Sequence, residues 1–408
     1  MSALEGLRVV DLTRYLSGPT LTMLLADLGA DVVKVETLPH GDPARQSGPF
    51  QGGESVYYMA SNRNKRSLAV DLRTDAGKDV LYRLIDQADV FVQNFRPGTA
   101  EAMGFGPEQL QARNPRLIYT SISGFGMTAP GSDLPGFDQT AQAMSGLMSV
   151  TGTEETGPLR VGIAVADSAT GVFAAVGVLA ALQERTRTGR GAVVESSLMQ
   201  SMLTLMSYQA QKYLSLGIVP GRDGNDHPIM FPQGTFATGE GSLTLASGNE
   251  RMWRRLCDVL DLEELAEDAR FVDNAARMAN RGELRALIEK ALSNRSAQEW
   301  IPAINAAGVP CGPVLDLAQA LNHPVTHGLD MVESVRHTTL GDMNVLGQAV
   351  KVSGSQDEWL HAHAPLLGEQ TVEVLGELGY AQDEIGELLG QNVVAQAAAP
   401  AVTSPSAG

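Results

Sequence analysis

The stretch from Val161 to Leu182 combines a single carboxylate with a run of small residues. Asp167 ends a short apolar run, and Ala, Gly and Ser dominate the helix predicted to follow it. Such a helix has little side chain of its own, so backbone or ligand can approach it closely. Asp167 is predicted at the N-cap, where free N–H groups and the helix dipole would keep its carboxylate ionised at neutral pH. An ionised carboxylate there can act as a nucleophile, although most aspartates at such positions only cap a helix.

Composition restricts the classes of partner. The 408 residues suggest two or three domains, and a hydrophobic fraction of 43% is ample for a core. A net charge of −17 argues against a nucleic acid or an anionic membrane as a partner. Cys257 and Cys311 lie far apart, which favours reduced thiols over a metal site or a disulfide. With no signal peptide and no apolar run of membrane-spanning length predicted, we expect a soluble, cytoplasmic protein.

Strand and helix patterns alternate through the first half of the chain. β-rich runs at 7–12, 31–36, 67–72, 89–95 and 117–121 are separated by helical spacing at 18–28 and 74–87. This alternation predicts an α/β fold with a mainly parallel sheet. A dinucleotide-binding site is excluded, because the first strand-to-helix turn (13–19) has no G-x-G-x-x-G. There is also no Walker A loop and no G-x-S-x-G elbow, and His361 and His363 lack a third metal ligand nearby.

Composition also suggests domain boundaries. We expect a large domain over 1–215, with one long helix at 197–216. A Gly-, Pro- and Asp-rich linker at 217–234 introduces a small domain within 216–330. The stretch 395–408 consists mainly of Ala, Pro and Ser and is predicted to be a disordered tail.

Several short stretches together resemble the class III CoA-transferases, the family of formyl-CoA:oxalate and carnitine CoA-transferases. They occur in the family's order and spacing and span nearly the whole chain: GLRVVDLTRYLSGP (6–19), LADLGADVVKVE (25–36), NRNKRSLAVDLR (62–73), NFRPGT (94–99), PRLIYTSISGFG (115–126), ADSATG (166–171) and APLLGE (364–369). The resemblance implies a Rossmann-like large domain with a parallel sheet and a smaller α/β domain. Residues 331–394 would return to the large domain, and two chains would interlock as a homodimer.

The resemblance also implies a role for particular residues. Asp167 aligns with the catalytic nucleophile, which forms a mixed anhydride with the acyl group and then an aspartyl-CoA thioester. No tightly bound cofactor is implied; coenzyme A enters as the acyl-CoA substrate, and the partner substrate is a small carboxylic acid. The positions that match CoA contacts are Leu16, Ser17, Val70, Arg73, Asn94, Phe95, Arg96, Met103, Phe137 and Asp138.

Three other functions remain open at this point. A 2-methylacyl-CoA racemase on the same fold would need a histidine base where this chain has Phe137, and phenylalanine cannot take a proton. A non-catalytic CoA-binding module would keep the motifs without the chemistry. An acyl-CoA hydrolase would result if water reached the anhydride. The sequence does not identify the acceptor acid, for which Arg14, Arg45 and His227 are candidate carboxylate-binding residues.

Overall fold

The computed structural model describes residues 2–353 and 359–398 of the chain. Its strands are β1 (Arg8–Asp11), β2 (Asp31–Thr37), β3 (Phe50–Gln51), β4 (Glu54–Ser55), β5 (Lys65–Val70), β6 (Val90–Gln93), β7 (Ile118–Ser123), β8 (Gly152–Thr153), β9 (Gly157–Pro158), β10 (Val193–Ser197), β11 (Gln233–Ala237), β12 (Ser242–Ala246), β13 (Cys311–Pro313), β14 (Val332–His337), β15 (Gly341–Leu346) and β16 (Val394–Ala395). Its helices are α1 (Ser17–Asp27), α2 (Val56–Met59), α3 (Asp75–Asp86), α4 (Thr99–Met103), α5 (Pro107–Arg113), α6 (Asp138–Met144), α7 (Val165–Thr188), α8 (Leu198–Leu205), α9 (Ser207–Leu216), α10 (Glu250–Val259), α11 (Asn274–Ala279), α12 (Arg281–Leu292), α13 (Ala297–Ala306), α14 (Leu317–Leu321), α15 (Pro324–Gly328), α16 (Thr371–Glu377) and α17 (Gln382–Gly390).

The described chain divides into two compact units. The second unit comprises Met148–Leu159 and Leu216–Thr326, and the first comprises the remaining described residues. The second unit is built on the antiparallel sheet β11–β12–β13. Its core gathers Trp253, Phe271, Trp300 and the aliphatic side chains of α10, α12 and α13. The strand pair β8–β9 belongs to this unit although it lies far from the rest of it in sequence.

The first unit is built on a seven-stranded sheet in the order β10–β7–β6–β1–β2–β5–β16. Every pairing is parallel except that of β16 with β5. Apolar clusters cover both faces of the sheet, as a parallel sheet requires. The α/β fold with a mainly parallel sheet, expected from the alternating pattern, is therefore confirmed.

Helix α7 packs its small residues against this sheet and against α1. Ala174, Ala175 and Val178 share a cluster with Leu21 and Leu25 of α1. Among the described residues it is the one helix long and apolar enough to cross a membrane, by length and composition only. The uncharged run inside this helix lies between Asp167 and Glu184, and its small residues belong to the core of the first unit.

Two other local predictions need correction. The single helix expected at 197–216 is broken between α8 and α9, where Ser207 adopts a left-handed φ of 43°. Ala395, expected to be the first residue of a disordered tail, instead pairs with Ala69 of β5 at the edge of the sheet. Residues 399–408 of that predicted tail lie outside the described residues.

Candidate functional site

A cavity of about 390 Å³ opens at the carboxyl ends of β1, β6 and β7, within the first unit. Ligands of parallel α/β sheets bind at this edge, because the strand-to-helix turns gather there. The turn after β1 contributes Arg14, Tyr15 and Ser17, and the turn after β6 contributes residues 94–97. Asp167 lies in the wall of the same cavity.

Asp167 lies inside the first turn of α7, because the helix begins at Val165. The expected N-cap role is therefore wrong, and the cap comes from another helix. Oδ1 of Asp138 accepts hydrogen bonds from the backbone N–H of Ala166 (2.8 Å) and of Asp167 (3.3 Å). The Asp167 carboxylate therefore does not cap the helix, and it accepts a hydrogen bond from the side chain of Ser17.

The carboxyl of Asp167 is less acidic than the sequence suggested. Burial raises its pKa from the ordinary value of 3.8 to about 7, and the nearby negative charge of Asp138 acts in the same direction. The hydrogen bond from Ser17 opposes both effects. A pKa near 7 does not fit the carboxylate expected to be fully ionised at neutral pH, because burial and the charge of Asp138 outweigh the hydrogen bond from Ser17.

Gly171 explains why α7 is rich in small residues. A Cβ added at this position would lie 2.7 Å from the backbone oxygen of Ser17 and 2.8 Å from Cβ of Thr20. The first turn of α1 therefore packs against the second turn of α7, at a distance that only a glycine allows. This contact brings the Ser17 side chain to the carboxyl of Asp167.

The turn that carries Arg14 and Tyr15 is held by its backbone. Asn94 binds both sides of Arg14, accepting from its N–H at 2.9 Å and donating to its carbonyl at 2.8 Å. Oδ1 of Asp42 accepts from the N–H of Tyr15, which has a left-handed φ of 63°. Nζ of Lys34 donates to the carbonyl of Thr13 at 3.0 Å. The structure therefore gives Asn94, predicted as a CoA contact, a role in shaping the turn.

Two fully buried lysines lie beneath this turn. Lys34 pairs with Asp42 at 2.9 Å, and Lys65 pairs with Asp11 at 3.0 Å while also donating to the carbonyl of Pro19. Burial alone would raise the pKa of Asp11, but the ammonium groups of Lys65 and Lys34 outweigh it and lower that pKa. Burial lowers the pKa of Lys65 to about 8. The network ties the first strand to both ends of the loop that lines the cavity.

Positive charge at the cavity comes from two arginines. The guanidinium of Arg14 lies 4.8 Å from the centroid of the Phe95 ring, and Arg96 is exposed beside it in the chain. Within residues 2–353 and 359–398, neither guanidinium pairs with a carboxylate. Both remain available to an anionic ligand.

The other two candidates for an acceptor carboxylate are engaged elsewhere. Arg45 forms a two-pronged ion pair with Glu36 and also donates to the hydroxyl of Tyr58 and to a backbone carbonyl. His227 lies in the second unit, where its Nδ1 accepts from the N–H of Ile229 at 3.3 Å. Arg14 is the one of the three that lines the cavity.

The ten residues predicted to bind CoA fall into two groups. Those that line the cavity with Asp167 are Ser17, Asn94, Phe95, Arg96 and Phe137. Those that lie outside its lining are Leu16, Val70, Arg73, Met103 and Asp138.

Val70 is a correction within the second group, since its side chain is 0% exposed in the core of the sheet and offers no surface to a ligand. Met103 packs against the same core and is only partly buried. Arg73 is exposed and pairs with Asp71, its neighbour two residues before it. Leu16 precedes the first residue of α1 and is partly exposed.

Two tyrosines of the cavity were not singled out from the sequence. Tyr15 makes an edge-to-face contact with Phe137 at 6.1 Å between ring centroids. Burial and the negative charge of Asp167 raise the pKa of Tyr57 to about 12, so its phenol stays protonated. Tyr15 lies in the motif 6–19 and Tyr57 on α2, outside the matched motifs, and an isolated tyrosine carries no spacing signal that marks it as functional.

Similarity to known proteins identifies the family of the chain. The model of CoA-transferase family III matches residues 4–371. The chain is 41% identical to acetyl-CoA:oxalate CoA-transferase of Acetobacter aceti over 90% of this chain and 93% of that protein. It is 38% identical to human succinyl-CoA:glutarate CoA-transferase over 96% and 90% of the two chains. The crystal structure of a CAIB/BAIF family protein from Brucella suis superposes with a TM-score of 0.82 at 36% identity, covering 92% of this chain and 99% of that one.

Proposed function

The chain belongs to CoA-transferase family III, and we propose that it moves CoA from an acyl-CoA to a free carboxylic acid through covalent intermediates on Asp167. The observation that carries the mechanism is the position of Asp167. It is a partly buried carboxyl with a raised pKa, in the wall of a cavity at the carboxyl edge of the sheet.

The proposed reaction begins with attack by an Asp167 oxygen on the thioester carbonyl carbon. The C–S bond breaks, the thiolate of CoA leaves with the electron pair, and a mixed anhydride remains. The thiolate then attacks the Asp167 carbonyl, which frees the donor carboxylate and leaves an aspartyl-CoA thioester. The acceptor carboxylate repeats these two steps in reverse order, which regenerates Asp167 and forms the new acyl-CoA. No proton is consumed overall.

The residues around Asp167 have complementary roles in this proposal. Arg14 and Arg96 would attract the phosphates of CoA or the free carboxylate of an acceptor. Phe95 and Phe137 would form apolar walls. The protonated phenol of Tyr57 is a hydrogen-bond donor on the cavity side.

The acceptor is proposed to be a dicarboxylic acid. The relatives from Acetobacter aceti and from human are named for oxalate and glutarate, both of which carry a second carboxylate. A guanidinium binds a second carboxylate well, and the cavity has two arginines, Arg14 and Arg96, without a carboxylate partner among the described residues.

A second copy of the chain is proposed to cover the outer face of α7. Val172, Phe173, Val176 and Leu179 are exposed there, with Val176 60% accessible, opposite the face that packs on α1. Apolar patches of this kind on a long helix are typical of obligate interfaces. The family resemblance implies a homodimer, and light scattering should give twice the mass of the chain.

The mechanism can be tested by trapping the adduct. The purified protein is incubated with succinyl-CoA, treated with hydroxylamine or borohydride, digested and analysed by mass spectrometry. We expect a mass change on the peptide that contains Asp167, absent in Asp167→Asn and retained in Asp133→Asn, which alters an exposed carboxylate. A wild-type protein that transfers CoA without a change on that peptide would refute the covalent mechanism. Exchange of an α-proton of a 2-methylacyl-CoA, with no adduct, would instead support the racemase.

A further inference from the structure

The carboxylate of Asp138, beside the proposed nucleophile, accepts hydrogen bonds from three donors. Its Oδ1 accepts from the backbone N–H of Ala166 and of Asp167, and its Oδ2 accepts from Nε2 of Gln142 at 2.6 Å. Nothing else among the described residues caps the start of α7, since Ala164 at the N-cap position has no side-chain oxygen. The sequence-based assignment of Asp138 as a lining residue of the CoA channel does not account for these contacts.

Gln142 extends the same connection to the segment that leads into α7. It is 0% exposed, and its Oε1 accepts from the N–H of Val161 at 2.9 Å. Its Nε2 also lies 3.3 Å from the carbonyl of Ile163, which can share the donor with Asp138. One turn of α6 therefore fixes both the approach to α7 and its first turn.

Few nearby positive charges counteract the effect of the Asp138 charge on the carboxyl of Asp167. Of the elements packed against α7, α1 contributes Ser17 at the contact and Asp27 at its far end, where Asp27 pairs with Arg63. Strand β7 contributes Tyr119, which is buried and donates to a backbone carbonyl. Strand β10 contributes the exposed Glu195, and α8 has no charged residue. From the turns that line the cavity come Arg14, Tyr15, Arg96 and, on α2, Tyr57. Of these groups, Asp138 and Ser17 are the ones that act on the pKa of Asp167, in opposite directions.

A more basic carboxylate suits the reaction proposed above. The leaving group is a thiolate, and thiols have pKa values of about 8.5, whereas an ordinary aspartate has one of about 3.9. Attack by such a weak base on a thioester runs uphill. A pKa of about 7 brings the basicity of the Asp167 carboxylate closer to that of the thiolate leaving group, while part of the molecules still carries the ionised form at neutral pH.

We propose that Asp138, held by Gln142, is a positioning residue that aims the first turn of α7 and keeps a negative charge beside the nucleophile. Its cap fixes the backbone of Asp167, and its charge makes the Asp167 carboxylate a stronger base. Ser17 is its counterpart on α1 and limits this effect. The inference rests on the proposed function of Asp167, but its charge component can be measured without turnover.

The test separates charge from capping. Asp138→Asn keeps an oxygen acceptor for the two N–H groups and removes the charge, whereas Asp138→Ala removes both. Ser17→Ala removes the opposing hydrogen bond. For each variant, kcat/KM for succinyl-CoA is measured between pH 5 and 9, and the Asp167 carboxyl carbon is titrated by ¹³C NMR, assigned by its loss in Asp167→Asn.

We expect wild-type kcat/KM to rise with pH to a plateau, with an apparent pKa near 7. Asp138→Asn should move that pKa down by about one unit, and Ser17→Ala should move it up. Asp138→Ala should in addition lower the plateau by about tenfold or more, because the first turn of α7 loses its cap.

Two results would overturn the proposal. If Asp138→Asn and Asp138→Ala lower the rate equally and leave the profile in place, the role of Asp138 is structural only. If the NMR titration of Asp167 is the same in Asp138→Asn as in wild type, the charge has no effect on the nucleophile. The NMR result stands even if no transferase activity is found, so failure of this inference is distinguishable from failure of the proposed function.

Discussion

Replacing Asp167 by Asn should abolish transfer and make the protein more stable at alkaline pH. The change keeps the size and shape of the side chain but removes a carboxylate that is costly to ionise where it lies. Because the folded-state pKa is about 7 and the ordinary value is 3.8, the folded protein holds the proton that the unfolded chain releases between these values.

The sign and size of the effect follow from this difference. Between pH 3.8 and 7 the folded state binds more protons than the unfolded state, so wild-type stability is full at acid pH and falls as pH rises through that window. The full difference corresponds to about 4 kcal/mol at 1.36 kcal/mol per pKa unit. Asp167 is partly exposed, and solvent screening reduces the figure to roughly 2 kcal/mol. The Asn variant is free of this loss.

The assay compares thermal unfolding of the two proteins at pH 5 and pH 8. About two-thirds of this effect falls between pH 5 and pH 8, roughly 1.3 kcal/mol, which for a chain of this length corresponds to a difference in Tm of roughly 1.5 °C. We expect the Asn variant to gain about that much over wild type between the two pH values, and Asp133→Asn to gain nothing. Equal differences in Tm at both pH values would refute the raised pKa. A variant that loses stability at pH 8 would show that the ionised carboxylate is stabilised by its surroundings.

Two further substitutions test the contacts that form the site. Gly171→Ala should destabilise the protein by about 1–3 kcal/mol, because the new Cβ meets a backbone oxygen of α1. The control is Gly177→Ala, whose new Cβ meets a side-chain methyl that can move. Equal Tm values for the two variants would contradict this explanation. Asn94→Ala should raise KM for acyl-CoA by about tenfold and change kcat less, because the backbone of Arg14 loses two hydrogen bonds. Its control is Asn114→Ala, which removes three hydrogen bonds to the backbone away from the cavity. The same rise in KM there would show a general loss of order.

The sequence predicted the sheet well because its signal is local. Short Val- and Ile-rich runs that alternate with helical spacing determine both strand type and parallel pairing, and the small residues of α7 indicated a close approach that proved to be α1 at Gly171. Patterns of this kind do not identify breaks that depend on one backbone angle. Ser207 interrupts a helix with a φ of 43°, and nothing in its side chain requires it.

The sequence indicated part of the candidate site but not the contacts between its residues. Asp167 and five of the ten proposed CoA contacts line one cavity. Asp138, the first residue of α6, caps helix α7, which begins 27 residues later in the chain. No rule of sequence spacing predicts such a contact. The pKa of Asp167 depends on burial, which sequence pattern describes only on average. Val70 was assigned to a ligand surface by resemblance, although its strand is covered on both faces.

The burial of two lysines beneath the cavity determines which lysines of the protein can be acylated. The chain has six lysines among its 30 cationic residues, and Lys34 and Lys65 are closed off by their ion pairs with Asp42 and Asp11. Reactive thioesters acylate amines in solution without an enzyme, but only amines that they can reach. Acyl marks should therefore collect at the other four lysines, which are Lys78, Lys212, Lys290 and Lys351. An acyl group found on Lys34 or Lys65 would show that the molecule had unfolded, at least locally, before it was acylated. These two lysines therefore report past unfolding in protein isolated from the cell.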